Sequence, residues 1–247
     1  MCTIVILRRP GHDWPLILAA NRDEMADRSW QPPGRHWPDR VEVTAGLDDL
    51  AGGTWLGLND WGVIAGVLNR PGSLGPDPVL RSRGELPLEA MDHAEAAVAA
   101  DALAAIDPMS YRSFNMIIAD AKQAYWLCSP GEGAPVRTEP IAEGLSMITA
   151  HDLNDAAAPR IKHYKPLFEA ATPPDPETGD WSAWQALMGD RRDDADNGGM
   201  TIDTDSGFAT VSSSLLALPG HERHEVKPRW LLAPGRPDKT DYEAVDL

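Results

Sequence analysis

The first 24 residues constrain the fold most, because they contain two apolar runs separated by a turn. Residues 2–7 (CTIVIL) are apolar and rich in β-branched side chains, which is typical of a buried strand. Residues 10–13 (PGHD) have turn chemistry, and residues 16–20 (LILAA) form a second apolar run. The pattern predicts a β-hairpin whose second strand ends at residues 21–24 (NRDE), close to Cys2.

Signals for strands and helices come in batches along the rest of the chain, without strict βαβ alternation. We predict helices at 156–171 and 181–189. Further strands are predicted at 42–45, 52–58, 62–69, 114–119, 124–128, 145–149, 201–204, 207–218 and 224–232. Two batches of strands and two pairs of helices predict one α+β domain over residues 1–247, with sheets packed face to face and helices outside.

One helix carries a more detailed prediction. Ser82-x-x-Glu85 fits a capping box, and the Ala-rich stretch that follows predicts a helix to about residue 106. Its expected buried stripe consists of Leu86, Met91, Val98 and Leu103.

Composition and charge argue against nucleic-acid-binding, membrane-spanning and secreted proteins. The chain has 247 residues and a net charge of −16, and an acidic surface repels nucleic-acid phosphates. No apolar run is long enough to cross a bilayer, and Arg8 interrupts any signal-peptide pattern. Cys2 and Cys128 suit free thiols in a reducing compartment, so we expect a cytoplasmic protein.

Cys2 is the sharpest candidate for chemistry. A methionine that precedes a residue as small as cysteine is normally removed, because the aminopeptidase pocket admits small side chains there. Removal leaves a thiol and a free α-amine on one residue, and an amine of pKa about 8 is a suitable acceptor for the thiol proton. This is the arrangement of N-terminal nucleophile catalysis. The alternative is an ordinary buried cysteine in a strand.

The tetrapeptide 21–24 offers further polar groups. Asp23 is suited to holding an α-ammonium or orienting a substrate group, and Arg22 to binding a substrate carboxylate or pairing with Asp23. Glu24 adds a second carboxylate. The alternative is a polar strand-to-loop transition with a surface ion pair.

Two other candidates follow predicted strands. The Asn69 amide is suited to donating to a developing oxyanion, or alternatively to capping the turn after it. His151 leaves a strand into a loop. The seven histidines show no metal-site spacing, and the sequence contains neither a Walker loop nor a GxGxxG fingerprint, so we expect no metal or cofactor.

Several of these segments, in this order, resemble the NRDE family, also called the transport and Golgi organisation protein 2 family. The resemblance spans nearly the whole chain and is most specific in its first third. It rests on the initiating Met-Cys, residues 21–24, 52–57 (GGTWLG), Asn69 and 82–84 (SRG), and more loosely on 114–117 and 211–213.

The resemblance implies the fold of N-terminal nucleophile hydrolases, a four-layer αββα sandwich of the α+β class. Bile salt hydrolases and penicillin V acylases are its enzymatic look-alikes, and they also begin Met-Cys-Thr. By that resemblance Cys2 attacks, its amine shuttles the proton, Asp23 positions the amine and Asn69 holds the oxyanion. Asn21 corresponds to an asparagine in the catalytic motif of those hydrolases. Arg22, Glu24 and His151 are the expected substrate contacts.

The sequence departs from those hydrolases at three places. Ala20 stands where they have an arginine, and the nearest arginine of this chain, Arg22, is displaced by two residues. Residues 149–151 (TAH) replace a Thr-Asn-Asn segment. Residues 212–215 (SSSL) lack the arginine that those hydrolases have after a serine pair. Several substrate-anchoring positions are therefore changed.

Two functions from different classes follow. The first is an amidohydrolase that cleaves a small amide C–N bond through Cys2. The second is a non-enzymatic carrier of a hydrophobic ligand, since family members are linked to haem handling and acyl-lipid metabolism. Nine tryptophans are suited to lining such a pocket, although a purely core role is the alternative. If haem binds, Cys2 or His151 is the candidate ligand.

Overall fold

The structure is a computed structural model of an α+β protein. It describes residues 2–75, 77–191 and 198–247. Every strand pair in these ranges is antiparallel. The strands and α-helices in chain order are β1 (Thr3–Arg8), β2 (Leu16–Met25), β3 (Trp30–Gly34), β4 (Val43–Asp48), β5 (Leu56–Asn59), β6 (Ile64–Asn69), α1 (Glu85–Met91), α2 (Ala96–Ala104), β7 (Phe114–Ala119), β8 (Ala124–Ser129), β9 (Arg137–Pro140), β10 (Gly144–Ile148), α3 (Pro159–Ala170), α4 (Ser182–Met188), β11 (Phe208–Leu218), β12 (Arg229–Ala233) and β13 (Glu243–Ala244).

Contacts within the chain divide it into two units. The first consists of the residues up to Arg28 together with Glu143–Asp246, and the second of Ser29–Ala142 with Leu247. Each unit has one sheet and two of the helices. The assignment of residues 1–247 to one domain stays a prediction.

The first unit contains a six-stranded sheet in the order β10-β1-β2-β11-β12-β13. As predicted, β1 and β2 form a hairpin, in which Thr3 lies opposite Asn21. The tetrapeptide lies at the end of the second strand, as predicted, and β2 continues one residue further, to Met25. Pairing with β11 extends to Phe208 opposite Met25 and supplies the backbone hydrogen bonds that this longer strand needs.

The side chains of β2 alternate between the two faces of this sheet. Ile17 belongs to a buried cluster with Ile161 of α3 and residues of α4, so odd-numbered positions face the helices. Even-numbered positions point the other way, because successive side chains of a strand leave opposite faces. Asn21 and Asp23 therefore share the helix-covered face, and Arg22 lies on the opposite face.

The second unit contains a seven-stranded sheet in the order β3-β4-β5-β6-β7-β8-β9. Its core includes Phe114 and Leu127 from the sheet, packed against residues of α1 and α2. None of the helices in the described ranges is long and apolar enough to cross a membrane.

The single helix predicted from residue 82 to 106 is wrong in two respects. Two helices form, because the Asn59 amide from β5 donates to the carbonyls of Met91 and His93 at 2.8 Å each and the chain turns there. This tertiary contact overrides a continuous run of good helix formers. The capping box does not form either, since Ser82 Oγ accepts from Gly84 N at 3.2 Å.

Two other predictions need correction. Val98 was placed in the buried stripe but is 51% exposed, because α2 turns its alanines and Leu103 to the core instead. The closing strands β11 and β12 form, whereas residues 201–204 contribute only an isolated bridge between Asp203 and Ala209.

A close backbone contact in the second unit explains one of the family-like glycine segments. Thr54 N donates to Gly84 O at 2.9 Å, which brings residues 53 and 84 together. A Cβ built on Gly53 would lie 2.5 Å from the Gly84 carbonyl carbon, closer than any side chain tolerates. Glycine is therefore required at position 53 by the neighbouring backbone.

We expect Gly53→Ala to lower the free energy of unfolding by about 2 kcal/mol, because a rigid backbone must shift to admit the new methyl group. Urea titration of the variant measures this. Gly220→Ala is the matched control, since its nearest contact would be an ordinary 3.6 Å. Equal effects of the two substitutions would contradict the explanation.

Candidate functional site

Cys2 lies directly before β1 and beside the backbone of Asp23. Its Sγ donates to the Asp23 carbonyl at 3.5 Å and accepts from the Asp23 N–H at 3.4 Å. The pairing of Thr3 with Asn21 brings the start of β1 to this point. As the hairpin geometry predicted, the thiol lies next to the tetrapeptide, and it is only partly exposed.

The carboxylate of Asp23 is buried and held at both oxygens. Oδ1 accepts from Thr210 Oγ1 at 2.7 Å, and Oδ2 accepts from Arg160 Nη1 at 3.1 Å. Asp23 and Arg160 form an ion pair whose side chains are 0% and 4% exposed. The alternative of a surface ion pair at the tetrapeptide is therefore wrong for Asp23.

A register shift in β11 places Thr210 at this carboxylate. Thr210 lies opposite Asp23 and Ser212 opposite Arg22, so Val211 is an extra residue between two paired positions. Such bulges change the face on which a side chain emerges. The Thr210 hydroxyl also accepts from Ile202 N at 3.0 Å, which leaves its own proton directed to Asp23.

The thiol of Cys2 is electrostatically disfavoured as an anion. Burial raises the pKa of Cys2 above its ordinary value, and the negative charge of Asp23 raises this pKa further. The positive charge of Arg22 acts in the opposite direction. A thiol in this environment needs a nearby base before it acts as a nucleophile.

Asn21 has a structural role on the helix-covered face. Its Nδ2 donates to the carbonyls of Met188 at 3.0 Å and Met200 at 2.9 Å, and the residue is 1% exposed. The amide thus ties β2 to the end of α4 and to the segment before β11. Its assignment as a catalytic residue stays a prediction.

The other residues of the tetrapeptide differ in their surroundings. Arg22 is 5% exposed on the face opposite Asp23. Glu24 is partly exposed, where Oε1 accepts from Met25 N at 2.9 Å and Oε2 lies 3.8 Å from Arg28 Nε. The expected substrate contacts of Arg22 and Glu24 stay predictions.

The remaining two candidates lie in different units. His151 belongs to the first unit, just after β10, and its Nδ1 is 3.8 Å from Asp155 Oδ2. Asn69 belongs to the second unit, where it is the last residue of β6 and pairs with Phe114. The turn after Asn69 is closed by Ser73, whose Oγ donates to Arg70 O. The roles of His151 and Asn69 stay predictions.

Sequence reasoning missed Arg160 and Thr210. Both contact Asp23 from more than 130 residues away along the chain, and no local pattern marks either of them. Across residues 2–75, 77–191 and 198–247, His, Cys, Asp and Glu side chains form no cluster of three or more suited to a metal ion.

The sequence of this chain is similar to that of a known protein family. The family model Transport and Golgi organisation 2 matches residues 1–196. The mouse Transport and Golgi organization 2 homolog is 32% identical over 141 residues, which cover 53% of this chain and 50% of that protein. The chain therefore spans about half the length of the curated relative it matches.

Two solved structures share the fold. The Agrobacterium tumefaciens penicillin V acylase has a TM-score of 0.57 at 13% identity, covering 100% of this chain and 86% of that one. The Caenorhabditis elegans N-acylethanolamine-hydrolyzing acid amidase ortholog has a TM-score of 0.52 at 12% identity, covering 99% and 100%. The predicted α+β fold of the N-terminal nucleophile hydrolases is confirmed, and at this identity the likeness concerns the fold alone.

We expect Asp23→Asn to lower the pKa of the Cys2 thiol, because the substitution removes the carboxylate charge that disfavours the thiolate. The pH dependence of iodoacetamide alkylation at Cys2, read by intact mass, measures this pKa. Asp203→Asn removes a carboxylate that pairs with Arg236 instead and is the control. A thiol pKa that stays the same or rises in Asp23→Asn would contradict the assignment.

We expect Asn21→Ala to lower the free energy of unfolding by about 3 kcal/mol, because two buried carbonyls lose their donor. Denaturant unfolding provides the measurement. Gln31→Ala removes an exposed amide that bonds Asp49, and its expected cost is below about 0.5 kcal/mol. A similar small cost at Asn21 would show that the two hydrogen bonds contribute little.

Proposed function

The chain belongs to the Transport and Golgi organisation 2 family, and we propose that it is an amidohydrolase that cleaves a small amide C–N bond through Cys2. The observation that carries the proposal is the Cys2 thiol held against Asp23, beside a buried carboxylate fixed at both oxygens. The fold shared with an acid amidase and an acylase supports the same reaction class.

The proposed reaction begins with removal of Met1, which frees the α-amine of Cys2. This amine takes the thiol proton, and it overcomes the raised thiol pKa because donor and acceptor belong to one residue. The Asp23 carboxylate holds the ammonium that results. A buried carboxylate that already has two fixed donors is a rigid acceptor for this purpose.

The thiolate then attacks the amide carbonyl carbon, and a C–S bond forms as the carbonyl π electrons move to oxygen. The ammonium of Cys2 gives a proton to the leaving nitrogen, the C–N bond breaks, and a thioester remains on Cys2. Water adds to the thioester as the amine takes one of its protons. The carboxylic acid leaves when the C–S bond breaks, and the thiol is restored.

The carrier hypothesis stays a prediction. It is tested by adding haem or an acyl-CoA to the protein and recording the absorbance spectrum and the melting temperature. A saturable response that persists in Cys2→Ala, without any amide hydrolysis by the wild type, would favour a carrier over the proposed enzyme.

The direct test of the proposal uses protein whose intact mass shows that Met1 is absent. N-acylethanolamines and penicillin V serve as probes, since the two structural neighbours are named for them. We expect Cys2→Ala to lower the rate of amide hydrolysis by at least about a thousandfold, because the nucleophile is lost. Release of the amine product measures the rate.

Two controls accompany this test. Cys128→Ala removes the other thiol, which is buried in β8 of the second unit, and should keep the wild-type rate. Protein in which Met1 is retained, prepared with a methionine aminopeptidase inhibitor, should be inactive because its amine is blocked. Wild-type turnover in Cys2→Ala would end the proposal.

A further inference from the structure

Arg160 contacts the two residues that adjoin Cys2 along the chain and across the sheet. Its Nη1 donates to Thr3 Oγ1 at 2.7 Å and to Asp23 Oδ2 at 3.1 Å. Thr3 directly follows Cys2 in the chain, and the Asp23 backbone contacts the Cys2 thiol. One guanidinium nitrogen therefore links β1 and β2 at the position of the thiol.

The element that carries Arg160 fixes this contact. Pro159 is the first residue of α3, where its restricted φ suits the start of a helix, and Arg160 is the next residue. Ile161 packs in the core between α3 and the sheet. The guanidinium is 4% exposed, so it reaches the carboxylate without competition from bulk solvent.

Stability alone is a weak explanation for this ion pair. Removing two charges from water offsets much of their mutual attraction, so buried pairs add little net stability compared with apolar packing. The ion pair does fix the orientation of the Asp23 carboxylate, since Arg160 donates to Oδ2 while Thr210 donates to Oδ1. A carboxylate held at both oxygens keeps one position relative to Cys2.

We propose that Arg160 is a positioning residue that acts on Cys2 through Asp23. It supplies from α3 a buried cation to the carboxylate that adjoins the Cys2 thiol. A contribution of Arg160 to catalysis rests on the proposed amidohydrolase activity. Its effect on the reactivity of the Cys2 thiol does not require that the protein hydrolyse any amide. The two are therefore tested with separate readouts.

The test is a double-mutant cycle on the alkylation rate of Cys2, in full-length protein that carries Cys128→Ala. Iodoacetamide is the probe, and intact mass follows the single remaining thiol. We expect Arg160→Met to slow alkylation about threefold or more at fixed pH, because an uncompensated Asp23 charge acts on the thiol. In the Asp23→Asn background we expect the same substitution to change the rate by less than about 1.5-fold.

Arg236→Met is the matched control, because Arg236 also lies in the first unit and forms ion pairs with Asp203 and Asp238, with a side chain 12% exposed. It should leave the alkylation rate unchanged in both backgrounds, whatever its effect on melting temperature. If Arg160→Met fails to fold, Arg160→Lys enters the same cycle. A lysine has one nitrogen to serve Thr3 and Asp23, and an intermediate rate is expected.

An unchanged rate in Arg160→Met, or an equal slowing in the Asp23→Asn background, overturns the positioning role. The amide probes then address the proposed function separately. With an active wild type, we expect Arg160→Met to lower kcat about tenfold or more with little change in KM, since the substitution misplaces a group needed in the transition state. Slowing that depends on Asp23, without amide hydrolysis by the wild type, keeps the positioning role and rejects the amidohydrolase.

Discussion

The antiparallel register between β1 and β2 determines where the groups of the candidate site lie. Thr3 opposite Asn21 leaves Cys2 against the Asp23 backbone, so the thiol meets the tetrapeptide through ordinary strand pairing. A shift of one residue in this register would move every side chain of β2 to the other face. The apolar residues of β2 oppose such a shift, because Ile17 is packed against α3.

The charges around Cys2 work against a reactive thiol when they are considered alone. Burial and the Asp23 carboxylate both raise the pKa of Cys2, and Arg22 only partly opposes them. The same carboxylate becomes useful if a cationic α-amine is present beside the thiol, since it then holds the group that carries the proton. The arrangement therefore suits a thiol nucleophile whose base is its own α-amine, which becomes free when Met1 is removed.

The sequence predicts the parts of this structure that depend on local pattern. The hairpin of β1 and β2 follows from two apolar runs and a turn, and the position of Asp23 near Cys2 follows from that hairpin. The contact from Arg160 is not predictable in this way, because it joins positions 137 residues apart and depends on how α3 packs. The bulge that presents Thr210 has no distinctive residue to mark it.

The helix predicted from residue 82 illustrates the same limit. Its composition favours a continuous helix, and only the amide of Asn59 on a separate strand reveals why the chain turns after Met91. The strand β9, with mostly exposed side chains, gave no apolar signal at all. Local sequence pattern thus predicts a helix or strand where one face of the element is buried. It does not predict where an element ends when a single long-range hydrogen bond determines that position.

The alternation of faces along β2 has a consequence for how substitutions in the tetrapeptide act. Asn21 and Asp23 contact residues of α4, α3 and β11, whereas the side chain of Arg22 between them lies on the opposite face of the sheet. A substitution at Asp23 therefore breaks contacts with α3 and β11. A substitution at Arg22 instead changes the opposite face and leaves those contacts in place.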